Sequence, residues 1–340
     1  MSKPIYEQII YIFGHSRGGT SLIGDILSRR EDANYLFEPF ASQAHEYTGF
    51  DTQTLFNNGR FLRLNKKGER TVENISPFFE FSTDLDPTTA QYIDIPKAHI
   101  KRLIQIKGFS PKKYLFLKQP RVENIHWVAQ SLKPDAFIFI NRHPYGIISS
   151  YIKGNHFAWL ETELPAVKRL LELKYPELRP ALEQANTQPR QELVLTLLRN
   201  QIANDFIQKN DSITSLDYDE LCNSPFQSLQ ALEKIGLDLD EGMKRYVSKL
   251  MKSQKTFQEN AWDTTQNLAH KSMAWQRELP LPVWKDLNRF CEEMALSHLM
   301  PAQQIPAIPA GFKHQPQKSF HNKSIPWRIK RAARMLLTGK

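Results

Sequence analysis

Residues 8–29 constrain this chain more than any other stretch. Residues 8–13, QIIYIF, form a short apolar run rich in β-branched and aromatic residues, and it stops at Gly14. A run of that kind reads as a buried strand. The turn Gly14-His-Ser-Arg-Gly-Gly-Thr-Ser21 follows, and residues 20–29 then carry Leu22, Ile23, Ile26 and Leu27 at helical spacing. Strand, glycine-rich turn and helix in that order make an anion cradle. Glycines let backbone N–H groups turn inward, and the helix N-terminus adds its partial positive charge. Gly14 and Gly19 are spaced as in the nucleotide-kinase phosphate loop, but Thr20 stands where that loop has Lys. The cation comes from Arg17 instead, inside the turn.

The same alternation continues down the chain. Residues 35–37, 114–117, 137–140 and 213–216 read as strands; helices are expected near 122–131, 145–151 and 191–209. Strands alternating with helices predict an α/β chain, here a P-loop-like three-layer fold with a central parallel sheet covered on both faces. Residues 41–110 and 153–190 break the alternation. Both are expected to be insertions over the sheet's carboxyl edge, shaping an acceptor site. Beyond Gly242 the chain reads helical, notably over 244–252 and 283–298. One domain is expected over 1–300, followed by a Pro- and Gln-rich linker (301–326) and a basic tail (327–340).

Composition excludes several classes. A 41% hydrophobic fraction in 340 residues rules out wholesale disorder. Cys222 and Cys291, far apart, suit neither a disulfide scaffold nor a thiolate zinc site. No stretch of about 18 apolar residues occurs, and MSKPIYEQII does not read as a signal peptide, so a cytoplasmic protein is expected. The formal charge of +9 is a property of the tail. From Pro301 onward there are eight Lys and Arg and no acidic residue, leaving a nearly neutral body, which argues against a nucleic-acid partner. Residues 327–337, WRIKRAARMLL, put Ile329, Ala332, Ala333 and Leu336 on one helical face with Arg328, Arg331 and Arg334 towards another. Such a helix can lie on an anionic membrane or dock on the body.

A second anion site is expected at Asn141-Arg-His-Pro-Tyr-Gly-Ile-Ile-Ser-Ser150. Arg142 follows an apolar strand, and Ser150 lies eight residues on, two helical turns later, where both can converge on one phosphate. Together with the first loop, this implies a ligand carrying two separate anionic groups.

These residues resemble the PAPS-dependent sulfotransferases. Their donor, 3′-phosphoadenylyl sulfate (PAPS), carries a 5′-phosphosulfate and a 3′-phosphate, and leaves as PAP. Residues 16–22, SRGGTSL, look like the family's 5′-phosphosulfate loop in the form found in the carbohydrate and tyrosylprotein branches. The Arg142…Ser150 pair is similar to its 3′-phosphate motif, with His143 where the family usually has Asp. Tyr35-Leu-Phe-Glu-Pro39 resembles a segment of the carbohydrate 6-O-sulfotransferases, and Lys118-Gln-Pro, residues 216–225 and Trp275-Gln-Arg resemble further family elements. The likeness covers about residues 8–40 and 114–300.

The resemblance implies a donor site of Ser16, Arg17, Gly18, Gly19, Thr20, Ser21, Arg142 and Ser150. It implies no metal. Arg17 and Lys118 would stabilise the transferring group and its leaving phosphate, and Glu38 would be the base that activates an acceptor hydroxyl. Phe37, Pro39 and Phe40 flank Glu38 and would partly desolvate it, which strengthens a carboxylate as a base. His15, His45 and His99 are alternative bases, and Ser272 resembles a sulfate-supporting serine of the tyrosylprotein branch. Asp217, Asp219 and Glu220 read more simply as an acidic helix start than as a Mg²⁺ cluster. The acceptor is expected to be a sugar, a glycolipid or a small natural product. A P-loop kinase-like phosphotransferase and a non-catalytic PAP-binding module are the competing readings.

Overall fold

The computed structural model describes residues 6–39, 60–64, 70–74, 95–123, 125–154, 174–253 and 267–300, with isolated positions between 156 and 171. The linker and tail (301–340) and His45 lie outside the described residues. Five parallel strands form the central sheet in the order β2-β5-β1-β6-β7: β1 (Tyr6–Gly14), β2 (Ala33–Phe37), β5 (Lys112–Gln119), β6 (Ala136–Asn141) and β7 (Ile213–Asp217). A separate antiparallel hairpin pairs β3 (Arg60–Leu64) with β4 (Arg70–Asn74).

The central strands are near-continuous apolar runs because both faces are covered. Alternation sends Ile10, Ile12, Phe116, Ile138 and Ile140 to one face, against Leu22, Ile23 and Ile26 of α1 (Thr20–Leu27). Tyr11, Phe13, Leu117, Phe137 and Phe139 face the other way, into a core containing α4 (Pro144–Gly154) and α6 (Gln188–Ile207). Ile138 of the interior strand β6 is completely buried; truncating such a residue to Ala typically costs about 2–5 kcal/mol. The expected α/β architecture with a doubly covered parallel sheet is therefore the observed one.

Some boundaries differ. Residues 41–110, expected as an insertion, hold the β3–β4 hairpin and α2 (Ile95–Ile106), which contributes Ile100 and Leu103 to the core. Helix α3 (Ile125–Leu132) begins three residues later than expected. Residues 153–190 contain a 3₁₀ turn (Pro176–Leu178), α5 (Arg179–Gln184) and the start of α6. After β7 come α7 (Tyr218–Asn223), α8 (Pro225–Gln230) and α9 (Glu241–Met251), then α10 (Leu268–Lys271), α11 (Trp275–Glu278) and α12 (Leu281–Glu293). The final helix, expected to reach residue 298, ends at Glu293. Ala295 turns into the left-handed region (φ 51), and a 3₁₀ turn follows.

Candidate active site

The registers bring four strand ends to one edge. Phe13 of β1 pairs with Gln119 of β5, Gly14 with Ile140 of β6, and Phe37 of β2 with Lys118 of β5. The turn after β1 is tight: Gly18 N–H donates to the His15 carbonyl at 2.8 Å. Gly19 then precedes α1 with φ 105, and a Cβ there would stand 2.2 Å from the Tyr218 ring. Only glycine meets both demands. No side chain caps α1, so its first N–H groups face the turn as anion donors.

Arg17, inside the first expected anion motif, ties it to the second. Its backbone is left-handed (φ 68). Its Nε donates to Ser150 Oγ at 2.9 Å, while Arg142 Nη1 donates to the Arg17 carbonyl at 2.7 Å. Arg142 and Ser150 therefore converge on a residue of the first loop, where their spacing alone predicts convergence on a phosphate. The Arg142 guanidinium is thereby anchored to the Arg17 backbone, and the Arg17 guanidinium to Ser150. The Arg142 guanidinium also lies 4.3 Å from the centre of the Tyr218 ring, a favourable cation–π arrangement.

His143 serves as a helix cap. It immediately precedes α4, and its Nδ1 accepts from the Tyr145 N–H at 3.2 Å, the capping bond a carboxylate would make. The ring stacks on Trp275 (centroids 4.4 Å apart, planes 10° apart). Burial, reinforced by Arg142, pushes the imidazole pKa down to about 3, so the ring stays neutral and Nδ1 remains an acceptor. Gly146 permits the close packing: a Cβ there would lie 2.9 Å from Arg142 Nε and 3.2 Å from Trp275.

Across β1 the chemistry changes. Lys118 is 1% exposed, and alternation along β5 puts it on the α1 face with Phe116. Its Nζ donates to Glu38 Oε1 at 2.5 Å and lies 4.3 Å from the centre of the Phe37 ring. Glu38 adopts φ 44, its N–H donates to the Lys118 carbonyl at 2.8 Å, and its side chain keeps 30% exposure. The two residues that the sequence nominates as the base and as the cation stabilising the sulfuryl group are thus in direct contact. An unpaired ammonium buried this deeply would be costly.

Two of the alternative histidines, His15 and His99, are engaged elsewhere. His99 is fully buried, with Nε2 2.7 Å from the Pro39 carbonyl, steadying the peptide beside Glu38. His15 is 4% exposed and points beneath the loop, not outward. Ser272 Oγ donates to the Asp219 carbonyl at 3.1 Å, and Met273 N–H donates to Asp219 Oδ1 at 2.8 Å. Burial raises the Asp219 carboxyl above its ordinary range. Asp217 caps α7 by accepting from the N–H groups of Asp219 and Glu220, which accounts for that acidic cluster without a metal.

No family model matches this chain, and no curated protein matches it. Among solved structures it is similar to the sulfotransferase domain of the Synechococcus PCC 7002 olefin synthase, at 14% identity and TM-score 0.43, over 86% of this chain and 98% of that one. It is also similar to the sulfotransferase domain from the curacin biosynthetic pathway, at 17% identity and TM-score 0.43, over 85% and 97%. A third is mouse sulfotransferase SULT7A1 complexed with PAP, at 15% identity and TM-score 0.38, over 85% and 84%. All three are sulfotransferases.

Sequence reasoning missed Tyr218, Trp275 as a stacking partner of His143, and the polar groups below the loop. Only His143 left a usable signal, by standing directly before Pro144 at a helix start.

Proposed function

We propose that this protein is a PAPS-dependent sulfotransferase, moving a sulfuryl group to a hydroxyl of a sugar, a glycolipid or a small natural product. The observation that carries the reading is the junction at Arg17, where the loop after β1 is tied to Arg142 and Ser150 beside an uncapped helix start. A donor with two anionic groups fits two arginines tied to one loop and the N–H groups at the start of α1 better than a single phosphate would. Sulfuryl transfer, like phosphoryl transfer, depends mainly on positioning and charge stabilisation. Arg17 and the N–H groups at the start of α1 would bind the 5′ end and receive the leaving group's growing charge. Arg142 and Ser150 would bind the 3′-phosphate.

Glu38 and Lys118 supply the remaining parts. With Glu38 ionised and Lys118 protonated, the pair is neutral. When Lys118 Nζ turns to an anionic sulfuryl oxygen, Glu38 loses its partner and is left to accept the proton of an acceptor hydroxyl. A PAP-binding regulatory module would have no use for this pair, and a kinase would lack the Lys that Thr20 replaces. We place the protein in the cytoplasm. Among the described residues no helix is long and apolar enough to cross a membrane, and we assign the basic segment 327–337 to peripheral contact with anionic lipid.

Calorimetric titration with PAP and with Mg·ATP at fixed salt tests the donor. PAP binding that needs no Mg²⁺ and exceeds ATP binding is expected. Preference for Mg·ATP would make the chain a phosphotransferase.

A further inference from the structure

Below the donor loop lies a set of polar side chains that the proposed chemistry does not use. His15, Glu192, Thr196, Arg199 and Glu123 are all less than 10% exposed. His15 Nδ1 is 2.7 Å from the Ser16 carbonyl, which can only accept, so Nδ1 carries the proton. Its Nε2 faces three groups of α6: Arg199 Nη1 at 2.8 Å, Thr196 Oγ1 at 3.2 Å and Glu192 Oε1 at 3.2 Å. Arg199 Nε donates in turn to Glu123 Oε1 at 2.5 Å, and Glu123 Oε2 accepts from the Val122 N–H at 3.1 Å.

The chain of contacts thus runs from the Ser16 peptide to the Val122 peptide. One end is the peptide just before left-handed Arg17; the other is the turn that follows Lys118-Gln119-Pro120. Elsewhere α6 packs with Leu193, Val194, Leu195, Leu197 and Leu198, all fully buried. Apolar side chains at 192, 196 and 199 would fill the same space without desolvating charges, and such replacements are often neutral or stabilising. What an apolar core could not do is fix the orientation of a peptide in a loop where Gly14, Gly18 and Gly19 offer no side chains to pack. A directional hydrogen bond to the Ser16 carbonyl does fix it.

We infer that His15 is a positioning residue for the donor loop, oriented by Thr196 and Arg199 of α6 and joined through Glu123 to the turn after β5. It sets the Ser16–Arg17 peptide so that the Arg17 guanidinium meets the donor's anion at the correct distance from Lys118. This rests on the PAPS reading.

The test is PAP titration of the full chain as wild type, His15→Ala and Arg17→Ala, each with and without millimolar imidazole. His15→Ala should bind PAP about tenfold more weakly or worse, and imidazole filling the vacated space should restore most of that loss. Imidazole should not help Arg17→Ala. Wild-type affinity in His15→Ala overturns the inference, and so does a loss that imidazole does not reverse. Should His15→Ala fail to fold, Thr196→Val removes only the hydroxyl facing Nε2. It should weaken PAP binding about threefold, and unchanged affinity overturns the inference on its own. A wild-type protein that binds no PAP has a different signature: it removes the donor reading itself.

Discussion

The two halves of the site, on either side of β1, are built on opposite principles. At the β1 and β6 ends, Arg17 and Arg142 are held by a hydroxyl, a peptide carbonyl and an aromatic ring. These contacts, which are to neutral groups, orient the guanidiniums as a preorganised anion site requires; the buried Asp219 carboxyl also acts electrostatically on Arg142. At the β2 and β5 ends, Lys118 is held by Glu38, and each charge offsets the other. The neutral contacts of the first half can persist when an anion binds; the ion pair of the second must open before either residue can act. Binding and chemistry are thus divided between the two sides of one strand, and substitutions should separate them.

The largest effects should come from the cations nearest the transferring group. Arg17→Ala and Lys118→Ala should each lower turnover by about 10²–10³ or more, the usual loss when one stabilising donor is removed. They should differ in binding. Arg17→Ala should weaken PAP in calorimetry, whereas Lys118→Ala should leave PAP affinity close to wild type, since PAP lacks the sulfuryl group. Equal loss of PAP affinity in both would mean that binding and chemistry are not divided between the two sides of β1.

Next in size is Glu38→Gln. The amide oxygen can still accept from Lys118 but cannot take a proton, so turnover should fall about 10²–10⁴ while PAP binding persists. Thermal unfolding checks the structural side: losing the charge partner of Lys118 should cost about 1.5–3 kcal/mol. Normal turnover in this variant moves the base away from Glu38.

Arg142→Ala should act mainly on affinity. It removes the bond to the Arg17 carbonyl and one guanidinium, weakening PAP by about ten- to hundredfold. Turnover at saturating donor should change far less. A large fall in saturated turnover with unchanged affinity would place Arg142 with the chemistry instead.

Much of this division is legible in the amino-acid sequence. Parallel strands buried on both faces are continuous apolar runs, so β1, β5 and β6 stand out, and the glycine-rich turn and the Arg142…Ser150 spacing are local patterns. Partnership is not legible. Glu38 and Lys118 can each be nominated, but no local pattern says that residues 80 apart touch. Glu192 and Arg199 look like ordinary charges on a helix surface; only tertiary packing turns that face of α6 towards His15, more than 170 residues earlier in the chain. The length of α12 is overestimated for a related reason, since apolar periodicity continues past Ala295 while the helical backbone does not.

The smallest predicted effect tests the one departure from the expected anion motif. His143 is buried and its pKa lies at about 3 in the folded protein, against about 6.5 for an unperturbed imidazole. Between these values the unfolded chain holds a proton that the folded chain does not, so stability falls as pH drops through the window. From about pH 6.5 to 4 the loss from this residue should be about 2–3 kcal/mol. His126, lowered to about 4 by burial and by Lys174 and Lys209, adds in the same direction. Asp219, shifted upward by burial, works in the opposite one. His143→Asn isolates the first contribution, because an amide oxygen can still accept from the Tyr145 N–H without titrating. Denaturant midpoints measured from about pH 7 to 4 should fall less steeply in the variant than in wild type, by about one proton's worth of slope. Parallel curves would mean that His143 is charged in the folded state. A charged ring could not accept from Tyr145, and α4 would then present Ser150 to Arg17 without the cap that sets its first turn.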